Sequence, residues 1–398
     1  MLNVYRLLNC IVLMSVCLPL CTIASEPPQK MQGLTVHKGR LLRGGNPYRG
    51  IGANYFSLFS RTIADPSDTS SRRQLERLSR ANIPFVRFMA CGFWPVDWDL
   101  YLTDKDEYFR RLDDIVKCAE DNEIGLIPSL FWNIAHVPDI VGEHVDQLGN
   151  PQSKTCELIR RYTSEVVLRY RSSPAIWGWE FANECNLHVD LPNASSHRPV
   201  VHPKLKTAAK RTRRDEMSSK MMLAVFNEFA RTVREHDKHR ILITGNSRPR
   251  PSAWHNTKEK SWRRDTREQY AEILLRDNPD PFDTLCVHIY PKKNNDYPVA
   301  AKSLDELVKT IRDVSSRSNK PLFIGEFSSH QAPTPRQQRE EFEKLVAAIE
   351  TNKVPLSAFW VFDYPPQQST CNITFENNRS YMLEIVAEAN RRMNREGD

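Results

Sequence analysis

Short, nearly continuous apolar runs alternate along this chain with longer segments in which apolar residues return every three or four positions. The first pattern is that of a strand buried on both faces, the second that of an amphipathic helix. The runs are Arg49–Phe56, Ile83–Met89, Ile124–Phe131, Ile176–Leu187, Ile241–Thr244, Leu285–Tyr290, Leu322–Phe327 and Leu356–Phe362. Helical spacing appears between them, for example in Tyr108, Phe109, Leu112, Ile115, Val116 and Ala119, and a last helix covers Tyr381–Met393. Capping boxes at Ser71–Gln74, Ser303–Glu306 and Thr334–Gln337 predict three helix starts. Leu34–Tyr48 reads as a strand and turn that closes a barrel floor.

Eight strands alternating with helices predict an α/β fold, a single-domain (β/α)8 TIM barrel. The competing doubly wound sheet needs a glycine-rich phosphate turn after the first strand, and none follows it. In such a barrel, chemistry is carried where strands end. Ile-Trp-Gly-Trp-Glu-Phe-Ala-Asn-Glu184 climbs to an Asn-Glu pair and then breaks into polar loop. Strand alternation turns Gly178, Glu180, Ala182 and Glu184 inward and Trp177, Trp179 and Phe181 outward against helices. Glu180 lies mid-strand, where a carboxylate must be buried and paired, and Glu184 lies at the open end. In the seventh run, alternation puts Leu322, Ile324 and Glu326 on one face. Two glutamates ending different strands can face each other across the barrel mouth, the arrangement that cleaves a glycosidic bond.

Composition adds the setting. Leu7–Ile23 is nearly all apolar and ends at Ala24-Ser25, so residues 1–25 read as a secretory signal peptide and the mature chain as exported and soluble. A membrane anchor is the alternative, but the run is short and broken by Asn9 and Pro19. The remaining 26–398 carry no linker and are expected to form one catalytic domain, acting as a monomer without a membrane partner. The net charge of +7 does not point to nucleic acid, because the basic residues gather in Lys204–Arg214, which reads as a solvated loop. Of nine cysteines, Cys10, Cys17 and Cys21 leave with the signal, and the even remainder permits up to three disulfides that spacing does not assign. Asn193, Asn372 and Asn378 begin glycosylation sequons. His188, His197 and His202 share one loop at spacings that fit no common metal site, and no cofactor is expected.

The motifs Ile-Trp-Gly-Trp-Glu-Phe-Ala-Asn-Glu184, Phe-Ile-Gly-Glu326-Phe, Val-His288-Ile-Tyr290, Phe-Val-Arg87-Phe and Phe-Trp360 together resemble the family 5 glycoside hydrolases, the cellulase and β-mannanase group. The resemblance implies a retaining mechanism with Glu184 as acid/base and Glu326 as nucleophile. It also implies that Asn183 binds the sugar 2-hydroxyl, that Arg87 keeps the nucleophile ionised, and that His288 and Tyr290 sit beside the acids. Trp360 is implied as the aromatic floor under the reacting sugar. The chain departs from the family at Trp132-Asn133, where a histidine is frequent, and at Cys185, where proline is common; Trp132 is taken as a sugar platform. Structural roles compete: Arg87 as a partner of Glu180, His288 as a core histidine, Trp360 as packing.

The expected partner is a polysaccharide or oligosaccharide. Asn54-Tyr55 and the Trp94, Trp98 and Trp254 loops are expected to line an extended cleft, which favours endo action on a β-1,4-linked chain, with mannan ahead of cellulose. The insertion His188–Asp215 is expected over the cleft. A different class, a non-catalytic carbohydrate-binding barrel, is disfavoured because a binder has no need of both Glu184 and Glu326.

Overall fold

The apolar runs form one eight-stranded sheet of parallel strands in a computed structural model that describes residues 33–202, 209–291 and 301–395. The expected signal segment 1–25 and residues 204–208 of the basic loop lie outside the described residues. An antiparallel sheet comes first: β1 (Leu34–His37), β2 (Arg40–Arg43) and β3 (Asn46–Pro47). The barrel strands are β4 (Gly50–Asn54), β5 (Phe85–Met89), β6 (Gly125–Phe131), β7 (Gly178–Ala182), β8 (Ile241–Ile243), β9 (Leu285–Ile289), β10 (Leu322–Phe327) and β11 (Leu356–Phe359). Most are shorter than their apolar runs. Ile83-Pro84, for instance, stays outside β5, and a proline has no N–H for a ladder.

The ladder runs β8-β7-β6-β5-β4-β11-β10-β9, and the seam between its two ends is held differently. Asp283 N donates to Leu242 O at 3.1 Å. Farther up, the Asn278 side chain stands in for backbone pairing: its Oδ1 accepts from Cys286 N at 2.9 Å and from Thr244 Oγ1 at 2.8 Å, and its Nδ2 donates to Cys286 O at 3.2 Å. Helices cover the outside, among them Lys105–Asp121, Lys154–Tyr170, Ser219–His236 and Tyr381–Arg395. Thr334 and Ser303 cap as expected, each accepting the backbone N–H three residues on. The helix expected to start at Ser71 starts at Ser70, because Asp68 Oδ1 accepts Ser70 N at 2.8 Å and turns the chain earlier.

Inside the barrel, Leu34 and Leu41 of the antiparallel sheet meet Phe85, Ile127, Trp177 and Phe323 and close the floor. Trp179 and Phe181 point outward as expected, Phe181 packing on Phe226 and Phe229 at ring-centroid distances of 5.4 and 5.0 Å. Trp177 does not. It precedes the first residue of β7, so strand alternation does not govern it, and its ring joins the floor, where Leu34 N donates to its carbonyl at 2.8 Å.

All six remaining cysteines are free, so the permitted disulfides do not form; Cys91, Cys156, Cys185, Cys286 and Cys371 are buried singly. In the described part of the basic loop Lys210, Arg213 and Arg214 are exposed, as expected of a solvated loop, and the Arg211 side chain alone is shielded, between Asp139 (2.7 Å) and Asp215 (3.5 Å). The Arg211–Asp139 pair fastens the insertion to the segment after β6. Asn193 and Asn378 are exposed, whereas Asn372 is buried with its amide engaged by Tyr364 N and Gln368, which leaves no room for a glycan in the folded chain.

After β8, Gly245 adopts φ +75°, where a Cβ would lie 1.8 Å from Ala182 O, and its carbonyl accepts Glu184 N at 2.9 Å. Gly245→Ala is expected to lower the urea midpoint, with a loss of stability of at least the roughly 1–2 kcal/mol that a left-handed residue costs, and to depress activity by moving the Glu184 backbone. An unchanged midpoint would contradict this reading of the turn.

Candidate active site

Charge organises the mouth of the barrel from below. Arg87 is fully buried, and each part of its guanidinium has a partner: Nε to both oxygens of Glu180 (2.9 and 2.8 Å), NH1 to Asn54 Oδ1 and to Glu326 Oε1 (both 2.8 Å), NH2 to Asn183 Oδ1 (2.8 Å). The two roles set against each other for Arg87, structural partner of Glu180 and partner of Glu326, are thus both filled by one side chain. Glu180 is wholly buried, as its height in the strand predicts. Asn54 is buried too, its amide donating to Gly325 O at 2.8 Å, and Tyr55 turns away to Asp363, so neither lines the cleft as expected.

Glu326 reaches the mouth by a route that alternation does not describe. Leu322 and Ile324 pack against the outer helices and Phe323 lies in the floor, so the inward face of β10 is that of Phe323 and Gly325. The pairing with β9 and with β11 shifts register after Ile324, and this bulge at Gly325 swings Glu326 inward. A Cβ at Gly325 would lie 2.9 Å from His288 Nε2, so only glycine fits beside the imidazole.

Glu184 follows β7 with φ +48°, a left-handed turn that lets the consecutive residues Asn183 and Glu184 both face the site. His288 Nδ1 lies 2.9 Å from Glu184 Oε1 and 3.5 Å from Glu326 Oε2. Tyr290 donates its hydroxyl to Glu326 Oε2. His288 is buried yet engaged with both acids, so it is no inert core residue. Side-chain exposure separates the acids: 29% for Glu184 and 4% for Glu326.

Burial lifts the Glu326 carboxyl above its ordinary value and outweighs the opposing pull of His288 and Arg87. Burial also acts to lift Glu184, but there the hydrogen bond and charge of His288, with Ser247 and Arg87, prevail and hold the carboxyl below its ordinary value. The expected order, a lowered Glu326 and a protonated Glu184, is therefore reversed in the free site. The cause is solvent: the acid with water and an imidazole beside it ionises first, and its charge then opposes ionisation of the more deeply buried one.

The cleft above these groups encloses about 620 Å³ and is lined by Asn183, Glu184, His288, Tyr290, Glu326, Trp132 and Trp360 among others. Of the catalytic and sugar-binding residues that the family resemblance implies, all are in this wall except Arg87, which lies beneath it. Trp360 is partly exposed and donates Nε1 to Gln367 at 2.8 Å, so it does more than pack. Trp132, 5% exposed, lies 4.4 Å from the Arg87 guanidinium and covers that charge from above. Trp98 is core, stacked on Phe131, and Trp254 binds Glu272 away from the cleft. Trp94 does extend the hollow: a neighbouring groove of about 820 Å³ contains it and shares Phe56, Phe93 and Tyr364 with the cleft. The insertion packs on the segment after β6, and among the described residues it adds nothing to the cleft wall.

Sequence reading missed Phe56, Phe93, Ser247, Arg248, Arg250, Tyr364 and Gln367. Several directly follow barrel strands, and that position was the available signal. Among the described residues, two groups of side chains could hold a cation: Glu184, His288 and Glu326, and His136, Asp139 and His202. Arg87 already supplies positive charge to the first, and Arg211 occupies both Asp139 oxygens of the second (2.9 and 2.7 Å). His202 thus meets His136, of the segment after β6.

The chain is similar to characterised glycosidases. A stretch of 92 residues is 37% identical to mannan endo-1,4-β-mannosidase A of Podospora anserina, covering 20% of this chain and 24% of that protein. The fold matches the endo-1,4-β-mannanase of Rhizomucor miehei with a TM-score of 0.65 at 16% identity, over 91% of this chain and 99% of the other. It matches the endo-β-1,4-mannanase of Thermotoga petrophila at 0.60 and 14%, over 88% and 78%. The family model described as cellulase, glycosyl hydrolase family 5, matches residues 66–364, and with it the strands that carry Arg87, Glu184, His288 and Glu326: this chain belongs to glycosyl hydrolase family 5.

Proposed function

We propose that this chain is a secreted, monomeric, retaining endo-β-1,4-mannanase, with Glu326 as nucleophile and Glu184 as acid/base. The observation that carries the reading is spacing: oxygens of Glu184 and Glu326 and a nitrogen of His288 lie within 4.8 Å of one another. Retaining enzymes hold their carboxyl groups about 5–5.5 Å apart, and inverting ones about 6.5–9.5 Å to admit a water.

Roles follow from the donors each acid meets. Arg87 can only donate, and Tyr290 donates to the other oxygen, so Glu326 is dressed as an anion on both sides. Glu184 keeps an exposed edge towards the cleft. A sugar bound there displaces the water around Glu184 and lifts its carboxyl towards the protonated form that an acid requires. Glu326 attacks the anomeric carbon as Glu184 gives its proton to the leaving oxygen. With the charge on Glu326 consumed in the glycosyl ester, Glu184 drops in pKa and takes a proton from the incoming water. Asn183, turned by Arg87, is the hydrogen-bond partner for the sugar 2-hydroxyl, and the Trp360 ring suits an apolar sugar face.

Mannan is preferred over glucan on the likeness to mannanases, and endo action on the continuation of the cleft past Phe56, Phe93 and Tyr364 into the Trp94 groove. Secretion rests on the apolar leader; no helix of the described residues is long and apolar enough to cross a membrane. Mannan, glucomannan, carboxymethyl-cellulose and laminarin, assayed side by side with product analysis, test the substrate, and NMR of the first-formed anomer tests retention. Exclusive release of mannose from chain ends would rule out the endo reading, and an inverted anomer the two-step one.

Tyr290→Phe removes a donor that favours ionised Glu326. The Glu326 pKa, already above its ordinary value, then rises further, and the nucleophile is active only above it. The acid limb of the kcat/KM profile is therefore expected to move to higher pH. A limb that stays in place or moves down would remove Tyr290 from this role.

A further inference from the structure

The turn after β8 brings Ser247, Arg248 and Arg250 into the cleft wall. That wall is tied to the segment carrying Glu184: Ser247 N donates to Asn186 Oδ1 at 3.0 Å, and Arg250 Nε to Leu187 O at 2.9 Å. Trp360 and Tyr364, which follow β11, belong to a different stretch of the rim. A general acid stands beside the oxygen that departs, so the arginines face the leaving sugar; this step rests on the reading of Glu184 as the acid.

Arg248 is 8% exposed, yet it makes no hydrogen bond and no ion pair with any described residue. Arg250 has only its bond to a carbonyl, and no carboxylate lies within ion-pair distance of it among the described residues. Other shielded arginines of the described residues are satisfied, Arg87 by Glu180 and Glu326, Arg211 by Asp139 and Asp215, and Arg379, which has no carboxylate, by the carbonyls of Gln368, Ser369 and Asn372. Two guanidinium groups two residues apart, Arg248 largely buried and Arg250 half-buried, with no carboxylate at ion-pair distance among the described residues, are left ready for an anion that enters the cleft. A neutral sugar offers hydroxyl acceptors but no charge. Burial acts against the charged form of Arg250, and Glu184 alone works the other way.

We propose that Arg248 and Arg250 form a subsite for an anionic group, a carboxylate or a sulfate ester, borne by the sugar on the leaving side of the scissile bond. The planar guanidinium fork accepts either group through paired N–H donors. With Glu184 protonated for the transfer, the anion meets no like charge beside it.

The test compares tetrasaccharides that differ only in their reducing-end unit: reduced to the neutral alditol, oxidised to the aldonate, or bearing a 6-sulfate. Manno and cello series are both made, so that a wrong choice of backbone sugar is not mistaken for a missing subsite. Wild-type kcat/KM for release of the modified unit is expected to be about ten-fold or more higher for at least one anionic form than for the alditol, as one charge-assisted hydrogen bond supplies. The form preferred identifies the group. In R248Q/R250Q the ratio is expected to fall to near one, and in R248K/R250K to be partly kept, with melting temperatures recording that each variant is folded. No preference in the wild type, or the same preference in R248Q/R250Q, overturns the proposal. The role of Glu184 is read separately with 2,4-dinitrophenyl β-mannoside, whose leaving phenolate needs no proton: Glu184→Ala keeps the first step on this substrate only if Glu184 is the acid.

Discussion

Glu326→Ala is expected to lose turnover by a factor on the order of 10⁵, the scale of removing a nucleophile from a covalent mechanism, while keeping its fold. The second half follows from the contacts. Without the carboxylate, Arg87 NH1 retains Asn54 Oδ1, and Nε retains both oxygens of Glu180. Burial opposes the ionised form of Glu326, so the truncation relieves a cost at neutral pH and the melting temperature should hold or rise. Added azide is small enough to enter the space left by the side chain and attack the anomeric carbon. It should restore part of the rate and yield a glycosyl azide of inverted configuration. Wild-type rates in Glu326→Ala, or rescue that gives the retained azide, would sink the assignment.

Arg87→Met is expected to fail in the opposite way, through the fold. It strands Glu180, which has no exposure, and leaving one member of a buried ion pair alone costs about 3–5 kcal/mol. The double variant R87M/E180Q removes both charges and should recover much of that loss in urea unfolding. Its activity should remain low, because Glu326 and Asn183 have still lost the donor that orients them. With the pull of Arg87 gone, the Glu326 carboxyl climbs further, so residual activity should appear only at higher pH. Full activity in R87M/E180Q would reduce Arg87 to a structural ion pair. Unchanged stability in Arg87→Met would contradict the dependence of Glu180 on Arg87.

The barrel was legible in the chain because a strand buried on both faces has a signature of its own, and each of the eight runs was found. The acids were legible for a second reason: carboxylates that close buried runs are hard to account for by solvation. Orientation was less readable. Counting along β10 placed Glu326 on the face of Leu322 and Ile324, and the observed inward aim comes from a bulge whose only trace in the sequence is Gly325. Trp177 was misassigned because alternation was extended one residue past the end of the strand. The cysteines were read through an expected export route, whereas the packing scatters them as isolated thiols. Arg248 and Arg250 escaped notice because the lack of an ion-pair partner among the described residues leaves no pattern in the sequence.

The seam between β8 and β9 gives the barrel the mechanics of a split ring. Glu184 follows β7 and Glu326 ends β10, so the two acids stand on opposite jaws of that split. Asn278 is the clasp: its amide, and not a zipped backbone, holds the jaws at mid-height. The spacing of Glu184 and Glu326 thus depends on a side chain that has no place in the cleft wall.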